Sequence, residues 1–274
     1  MSLADSHCHL QDPKFNRDLA AVIERARAAG VSTIVVPGYD MKSSRRAVEI
    51  AEGNEGIFAT VGVHPHDAKT LTPGDISTLT ALAESSRVVA IGEIGLDFYR
   101  NLSPPDVQHR AFREQLALAR ELDLPVVIHA RDADEPTFEV LAGHAETAGG
   151  DWPADRPLGV MHCFAGDLAL AEQYAGLGFL ISIAGTVTYP NAEKTRAVAR
   201  GIPLTSMLIE TDAPYLTPQS RRGQRNEPAY IVETAKFIAQ LRGESLELVS
   251  EITGANASRL FALDRVAQPS GERA

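Results

Sequence analysis

Six side chains have the types and order to build one metal centre: His7, His9, Glu93, His129, His162 and Asp212. His7 and His9 are two residues apart, so an extended backbone turns both rings to one face. Imidazole and carboxylate donors together suit Zn²⁺, Mn²⁺, Fe²⁺ or Co²⁺ and hold Mg²⁺ less tightly. No thiolate set completes a closed tetrahedron, which points to a catalytic site. Six donors can serve two divalent ions if one carboxylate is shared, leaving positions for water and substrate. Glu93, facing inward from the fourth predicted strand, is the natural bridge, and an unpaired charge within Ile91-Gly92-Glu93-Ile94-Gly95 would be costly. Singly, each signal has an ordinary explanation: a lone His-x-His is commonly structural, and Asp212 before Ala213-Pro214 can cap a helix. Their placement unites them.

That placement comes from the elements. Short β-branched or apolar runs predict strands at 3–6, 32–36, 58–61, 88–93, 125–129, 159–162, 179–183 and 207–210. Amphipathic stretches between them predict helices at 17–29, 44–52, 76–85, 106–122, 136–148, 168–177, 193–200 and 228–242, then 246–253 and 256–261. Alternation of this kind implies a parallel sheet with helical crossovers. Eight strands, each followed by a helix, favour a closed (β/α)₈ TIM barrel, and no glycine fingerprint after the first strand supports a dinucleotide fold. Barrel chemistry gathers at the C-terminal strand ends. His7 and His9 follow the first strand, His64 and His66 the third, and Asp212 the eighth. Glu93, His129 and His162 end the fourth, fifth and sixth. One domain is expected over 1–263, with a flexible tail over 264–274.

Composition narrows the class. A chain of 274 residues with 44% hydrophobic content can fill a single barrel, and no apolar run spans a bilayer. Met1-Ser2-Leu3-Ala4 runs directly into the histidine motif, so no leader is expected and the cytoplasm is the expected location. A monomer is expected, since no apolar stripe asks for a partner. Cys8 and Cys163 do not read as a disulfide framework; beside strand-end histidines, both thiols should point away from the site. The formal charge of −10 argues against binding nucleic acid through a global positive field, although divalent cations can invert the field locally.

Other groups have secondary roles. His64 and His66 flank Pro65 near the rim and suit substrate contact or support of the ligands. Glu210 can orient Asp212 or form a salt bridge low in the barrel, and Asp97 can take a metal-bound water or cap the turn before Phe98. Arg131, Arg221, Arg222, Arg225 and Asn226 are candidates to hold phosphate, and Tyr215, Phe98 and Tyr99 to stack a base. Trp152, in the loop 149–153, reads as packing. His109 and His144 read as surface positions without function.

The motifs Asp5-Ser6-His7-Cys8-His9-Leu10, Gly62-Val63-His64-Pro65-His66, Gly92-Glu93-Ile94-Gly95-Leu96-Asp97 and Pro125-Val126-Val127-Ile128-His129-Ala130-Arg131 resemble those of TatD-type deoxyribonucleases. So do His162-Cys163-Phe164, Glu210-Thr211-Asp212-Ala213-Pro214-Tyr215 and Arg225-Asn226-Glu227-Pro228, in order over nearly the whole chain. One place differs: after His9-Leu10 the chain has Gln11 and then Asp12. The resemblance implies a TIM-barrel metal-dependent hydrolase of the amidohydrolase type that cleaves DNA phosphodiesters, often from single-stranded 3′ ends. It further implies that His7, His9 and Asp212 hold one ion, His129 and His162 the other, with Glu93 bridging. The ions would be Mg²⁺, Mn²⁺ or Zn²⁺, and Asp212 or Glu93 would be the catalytic base. Competing readings are an amide, lactone or aminoacyl-ester hydrolase on the same barrel, and a non-catalytic metal-binding protein. The last predicts a missing ligand, and every expected position is filled.

Overall fold

Apolar runs become parallel strands because each is covered by a helix on one side and by the barrel interior on the other. The computed structural model describes residues 2–148, 152, 153 and 155–266. Its strands are β1 (Leu3–Asp5), β2 (Val31–Pro37), β3 (Ile57–Val61), β4 (Val88–Asp97), β5 (Val126–Arg131), β6 (Gly159–Met161), β7 (Phe179–Ile183) and β8 (Met207–Ile209). Between and after them come α1 (Leu19–Ala28), α2 (Met41–Glu52), α3 (Pro73–Leu82), α4 (Pro105–Glu121) and α5 (Asp134–Ala148). These are followed by α6 (Leu168–Gly176), α7 (Glu193–Gly201), α8 (Ile231–Arg242), α9 (Leu246–Phe261) and α10 (Leu263–Val266).

The strands pair in sequence order, all parallel. Backbone bonds close the ring between its ends: Ser6 N donates to Ile209 O (3.1 Å) and Asp212 N to His7 O (2.9 Å). Asp5 seals that seam, its carboxylate accepting from the Thr211 amide (2.9 Å) and hydroxyl (2.6 Å). The expected (β/α)₈ barrel is the fold observed.

Two apolar layers hold it. The larger lies between strands and helices, with Phe112, Tyr174, Phe179 and Ile231 among its buried members. The smaller fills the lower interior: Ala4, Val35, Phe58, Val89, Val127, Val160, Leu180 and Leu208 pack against Ala257, Leu260 and Phe261 of α9, which plugs the barrel floor. Two helices were expected at 246–261, broken near Gly254; one continuous helix forms. Gly254 is there because α9 crosses the chain start closely, where a Cβ would sit 3.1 Å from Ser2 O.

Three further differences have simple causes. Strand β4 runs past Glu93 to Asp97, because a bulge against β5 between Ile91 and Ile94 lets pairing resume beyond the glutamate. Gly95 (φ 141°) sits so close to the His129 carbonyl that a Cβ would clash. His144 is not a surface position: it is buried, close to Leu116 and Arg120 of α4. Trp152 does pack, donating from Nε1 to Arg156 O (2.8 Å). Positions 264–266 of the expected tail continue in α10, while 267–274 lie outside the described residues, as do Gly149, Gly150 and Asp151 of the Trp152 loop. Among the described residues no helix is long and apolar enough to cross a membrane.

Candidate metal centre

Glu93 stands in the middle of the site. Its amide donates to Gly38 O (2.7 Å), which fixes the backbone, and its two carboxylate oxygens face different rings. Oε2 lies 3.4 Å from His7 Nε2 and 4.0 Å from His9 Nε2. Oε1 lies 3.0 Å from His129 Nδ1, 3.4 Å from His64 Nε2 and 3.7 Å from His162 Nε2. Asp212 Oδ1 closes the first group, 3.3 Å from His9 Nε2 and 3.9 Å from His7 Nε2. His7 Nε2 and His9 Nε2 are only 3.2 Å apart. With their inward protons released, ring nitrogens and carboxylate oxygens so crowded would direct lone pairs at one another, and a cation between them would relieve that repulsion. The donor set and its burial therefore fit divalent ions.

Carboxylates on the outward side of two rings bear on which nitrogen faces inward. His129 lies between two carboxylates, its Nε2 3.0 Å from Asp97 Oδ2 and its Nδ1 hydrogen-bonded to Glu93 Oε1, so with Asp97 holding Nε2 it is Nδ1 that can turn a lone pair to an ion. Asp97 also receives His66 Nε2 (2.9 Å) and the Arg100 amide (2.7 Å); against the effect of burial, these contacts hold it well below the usual carboxylate range. His162 Nδ1 is 2.9 Å from Glu210 Oε1, leaving Nε2 to face Glu93. Burial opposes the charge on His162, but Glu210 and Glu93 outweigh it and push the ring up to about 10. Burial likewise works against ionised Glu93, yet His64, His162 and His129 hold it well below the ordinary glutamate value.

His64 is different. Its Nδ1 accepts from the His66 backbone N–H (3.1 Å), so the neutral ring carries its proton on Nε2, towards Glu93. Burial pulls its pKa down to about 4, which keeps it neutral. By distance it groups with Glu93 and His129 as a third donor set, but it presents an N–H there rather than a lone pair. At His9, the Gln11 amide nitrogen sits 3.1 Å from Nδ1 and also donates to Pro37 O, which leaves the ring proton on Nε2, towards Asp212. Gln11 Oε1 is buried without a partner.

The chain matches the family model described as TatD related DNase over residues 4–262. It belongs to that family. It is 42% identical over 262 residues to YabD, a metal-dependent hydrolase of Bacillus subtilis, covering 96% of this chain and 100% of that one. It is 40% identical over 262 residues to the 3′-5′ ssDNA/RNA exonuclease TatD of Cronobacter sakazakii, covering 94% and 97%. Among solved structures, the TatD homologue YJJV of Escherichia coli superposes with a TM-score of 0.86 at 34% identity, covering 95% of this chain and 98% of that one.

One cavity of about 470 Å³ is lined by His9, His64, Glu93, His129, His162 and Asp212 and also by Arg131 and Tyr215. Glu210 does not orient Asp212 but bears on His162, and it accepts from the Cys163 amide (2.8 Å). Arg225 is drawn away from the cavity by a two-pronged bond to Asp18 (2.9 and 2.7 Å) and covers the Phe15 ring. Asn226 is buried and pins the loop through Thr211 O (2.9 Å) and Tyr215 O (2.6 Å). Arg221 and Arg222 lie over the Tyr230 and Tyr189 rings.

Cys8 is buried with its thiol near Ala213 O, as expected. Cys163 departs from expectation: its sulfur is within 4.8 Å of donor atoms of His162 and Asp212. Strand alternation cannot be applied there, because β6 stops at Met161 and Cys163 has φ 45°. Burial and the Glu210 and Asp212 charges push that thiol well above its ordinary value, so it stays protonated. Asp5 was not singled out from sequence. Its position two residues before His7 was the available signal, and burial pushes it up to about 8 although it holds Thr211.

Proposed function

We propose that this chain is a two-ion phosphodiesterase that shortens single-stranded DNA or RNA from the 3′ end. The observation that carries the reading is Glu93, whose two oxygens face separate groups of imidazoles, with Asp212 beside the first. Its similarity to a protein named as a 3′-5′ ssDNA/RNA exonuclease supports the substrate class. In this reading His7, His9 and Asp212 would hold one ion, His129 and His162 the other, and Glu93 would be shared between them. The imidazole-rich set favours Mn²⁺ or Zn²⁺ over Mg²⁺. Bound divalent ions would acidify water and offset charge on the phosphoryl oxygens.

The chain's own groups do the rest. Asp212, held ionised by His9, His162 and His7 against the effect of burial, accepts the proton of the attacking water. His64, a fixed N–H donor, is placed to meet a phosphoryl oxygen. Asp97 and Glu210 keep the rings of His129 and His162 aimed. The protein is proposed to act as a monomer: of the exposed large hydrophobics among the described residues, Leu102 and Tyr215 line the cavity, Tyr99 lies beside its lining residue Arg131, and only Leu248 is elsewhere.

The test is a 5′-labelled single strand incubated with protein and Mn²⁺ or Mg²⁺. Progressive shortening from the 3′ end is expected, abolished by EDTA and reduced roughly a hundredfold or more in Glu93→Ala and Asp212→Ala with the far-UV spectrum retained. Intact DNA and RNA alongside cleavage of an aminoacyl ester or small amide would refute the reading.

A further inference from the structure

We propose that Tyr99 and Tyr215 are paired stacking platforms that grip the unpaired bases of a single-stranded end on either side of the cavity. The inference rests on the phosphodiesterase reading. Tyr99 follows β4 and Tyr215 follows β8; in a closed barrel of eight strands these lie four strands apart, across the mouth from one another. They are the exposed aromatics among the described residues, at 60% and 46%. Leaving two aromatic rings in water forgoes burial that the other rings obtain; Tyr215 lines the cavity that contains the metal centre, and Tyr99 stands beside it against Arg131, which lines it.

Each ring is held ready. The Arg131 guanidinium lies 3.8 Å from the Tyr99 centroid, and Lys14 Nζ 4.3 Å from that of Tyr215. The Tyr215 hydroxyl donates to Asp12 Oδ2 (2.8 Å), which fixes the ring's tilt 6.1 Å from the His9 ring. A cation on one face leaves the other open, and an aromatic side chain has little rotamer entropy to lose when a base settles on it. Neither Lys14 nor Arg131 has a carboxylate in salt-bridge reach among the described residues, so both charges remain available to phosphates.

The chemistry selects the partner. A ring face accepts any base, so the grip is indifferent to sequence. Bases inside a duplex are already stacked on both sides and cannot enter. With a formal charge of −10 on the whole chain, phosphates are favoured only where these cations and the metal centre gather. Unpaired ends are thus selected by stacking rather than by a general field.

The experiment compares wild type with Tyr99→Ala, Tyr215→Ala and the corresponding Phe variants on an oligothymidylate and on an abasic oligonucleotide of the same length, which has no ring to stack. The ratio of kcat/KM for the thymidylate to that for the abasic strand should fall roughly tenfold in each Ala variant, stay near wild type in Tyr99→Phe and fall less in Tyr215→Phe, which loses the Asp12 bond, than in Tyr215→Ala. A 2-aminopurine at the 3′ end should be quenched on binding to wild type and the Phe variants and regain emission with the Ala variants. An unchanged ratio, or equal loss on both substrates, overturns the platforms. Failure of wild type to cleave any oligonucleotide overturns the phosphodiesterase reading instead.

Discussion

At the scale of single residues, the centre depends on carboxylates that never need to touch an ion. Asp97 and Glu210 lie against the outward nitrogens of His129 and His162, and so leave the other nitrogen of each ring to face Glu93. Loss of such a partner typically weakens metal binding ten- to hundredfold. On the two-ion reading, Asp97→Asn and Glu210→Gln should each reduce affinity for one Mn²⁺ by about that factor and leave the affinity of the other, assigned to His7 and His9, unchanged. Calorimetric titration would show it as one weakened step of two; two unchanged steps, or loss of both, would contradict the assignment. The same logic explains why Arg225 and Asn226, attractive as phosphate contacts in sequence, are spent on holding the β8 loop.

At the scale of elements, strand ends and seams carry the site, and the helices tune stability. The bulge in β4 sets Glu93 mid-strand, and the Asp5–Thr211 contact locks β1 to the chain after β8, so that His7, His9 and Asp212 share one edge. On the outer layer, His144 of α5 is buried, and burial with the Arg120 charge lowers its pKa from 6.5 to about 4. Above pH 6.5 the ring is neutral in folded and unfolded chains and costs nothing. As pH falls towards 4, the unfolded chain takes up a proton that the folded one refuses, so stability declines. Between pH 7 and pH 5 this amounts to about 2 kcal/mol. Urea unfolding in chelator should show a decline smaller by that amount in His144→Leu than in wild type. Equal slopes would mean that the ring is protonated in the fold.

At the scale of the whole molecule, charge and architecture separate two jobs. The acidic surface repels polynucleotides, while the mouth offers Lys14, Arg100 and Arg131 near the cavity. Three phosphate contacts on a single strand give a salt slope no steeper than about −2 in log K against log salt. Anisotropy of a labelled oligonucleotide titrated with KCl at fixed Mn²⁺ should show this shallow dependence, and a slope several times larger would reveal a basic surface elsewhere. The barrel floor, closed by α9, has no part in this: it supplies rigidity below while the loops above vary.

Strand number, alternation and the rim positions of His7, His9, Glu93, His129, His162 and Asp212 could be read from sequence alone. Periodicity and strand ends are local properties, and one barrel geometry turns them into a shared rim. Other features are set by contacts distant in sequence. The pairing of Glu210 with His162 rather than Asp212, the proton on His64 Nε2 and the approach of Cys163 to the site arise where loops leave the strands and alternation no longer governs direction. Burial of His144 and continuity of α9 through Gly254 depend on what packs against them, which no window of sequence contains. Types and order of donors are written along the chain. Which nitrogen faces the ion, and which arginine remains free for phosphate, follow from neighbours that only the closed barrel brings together.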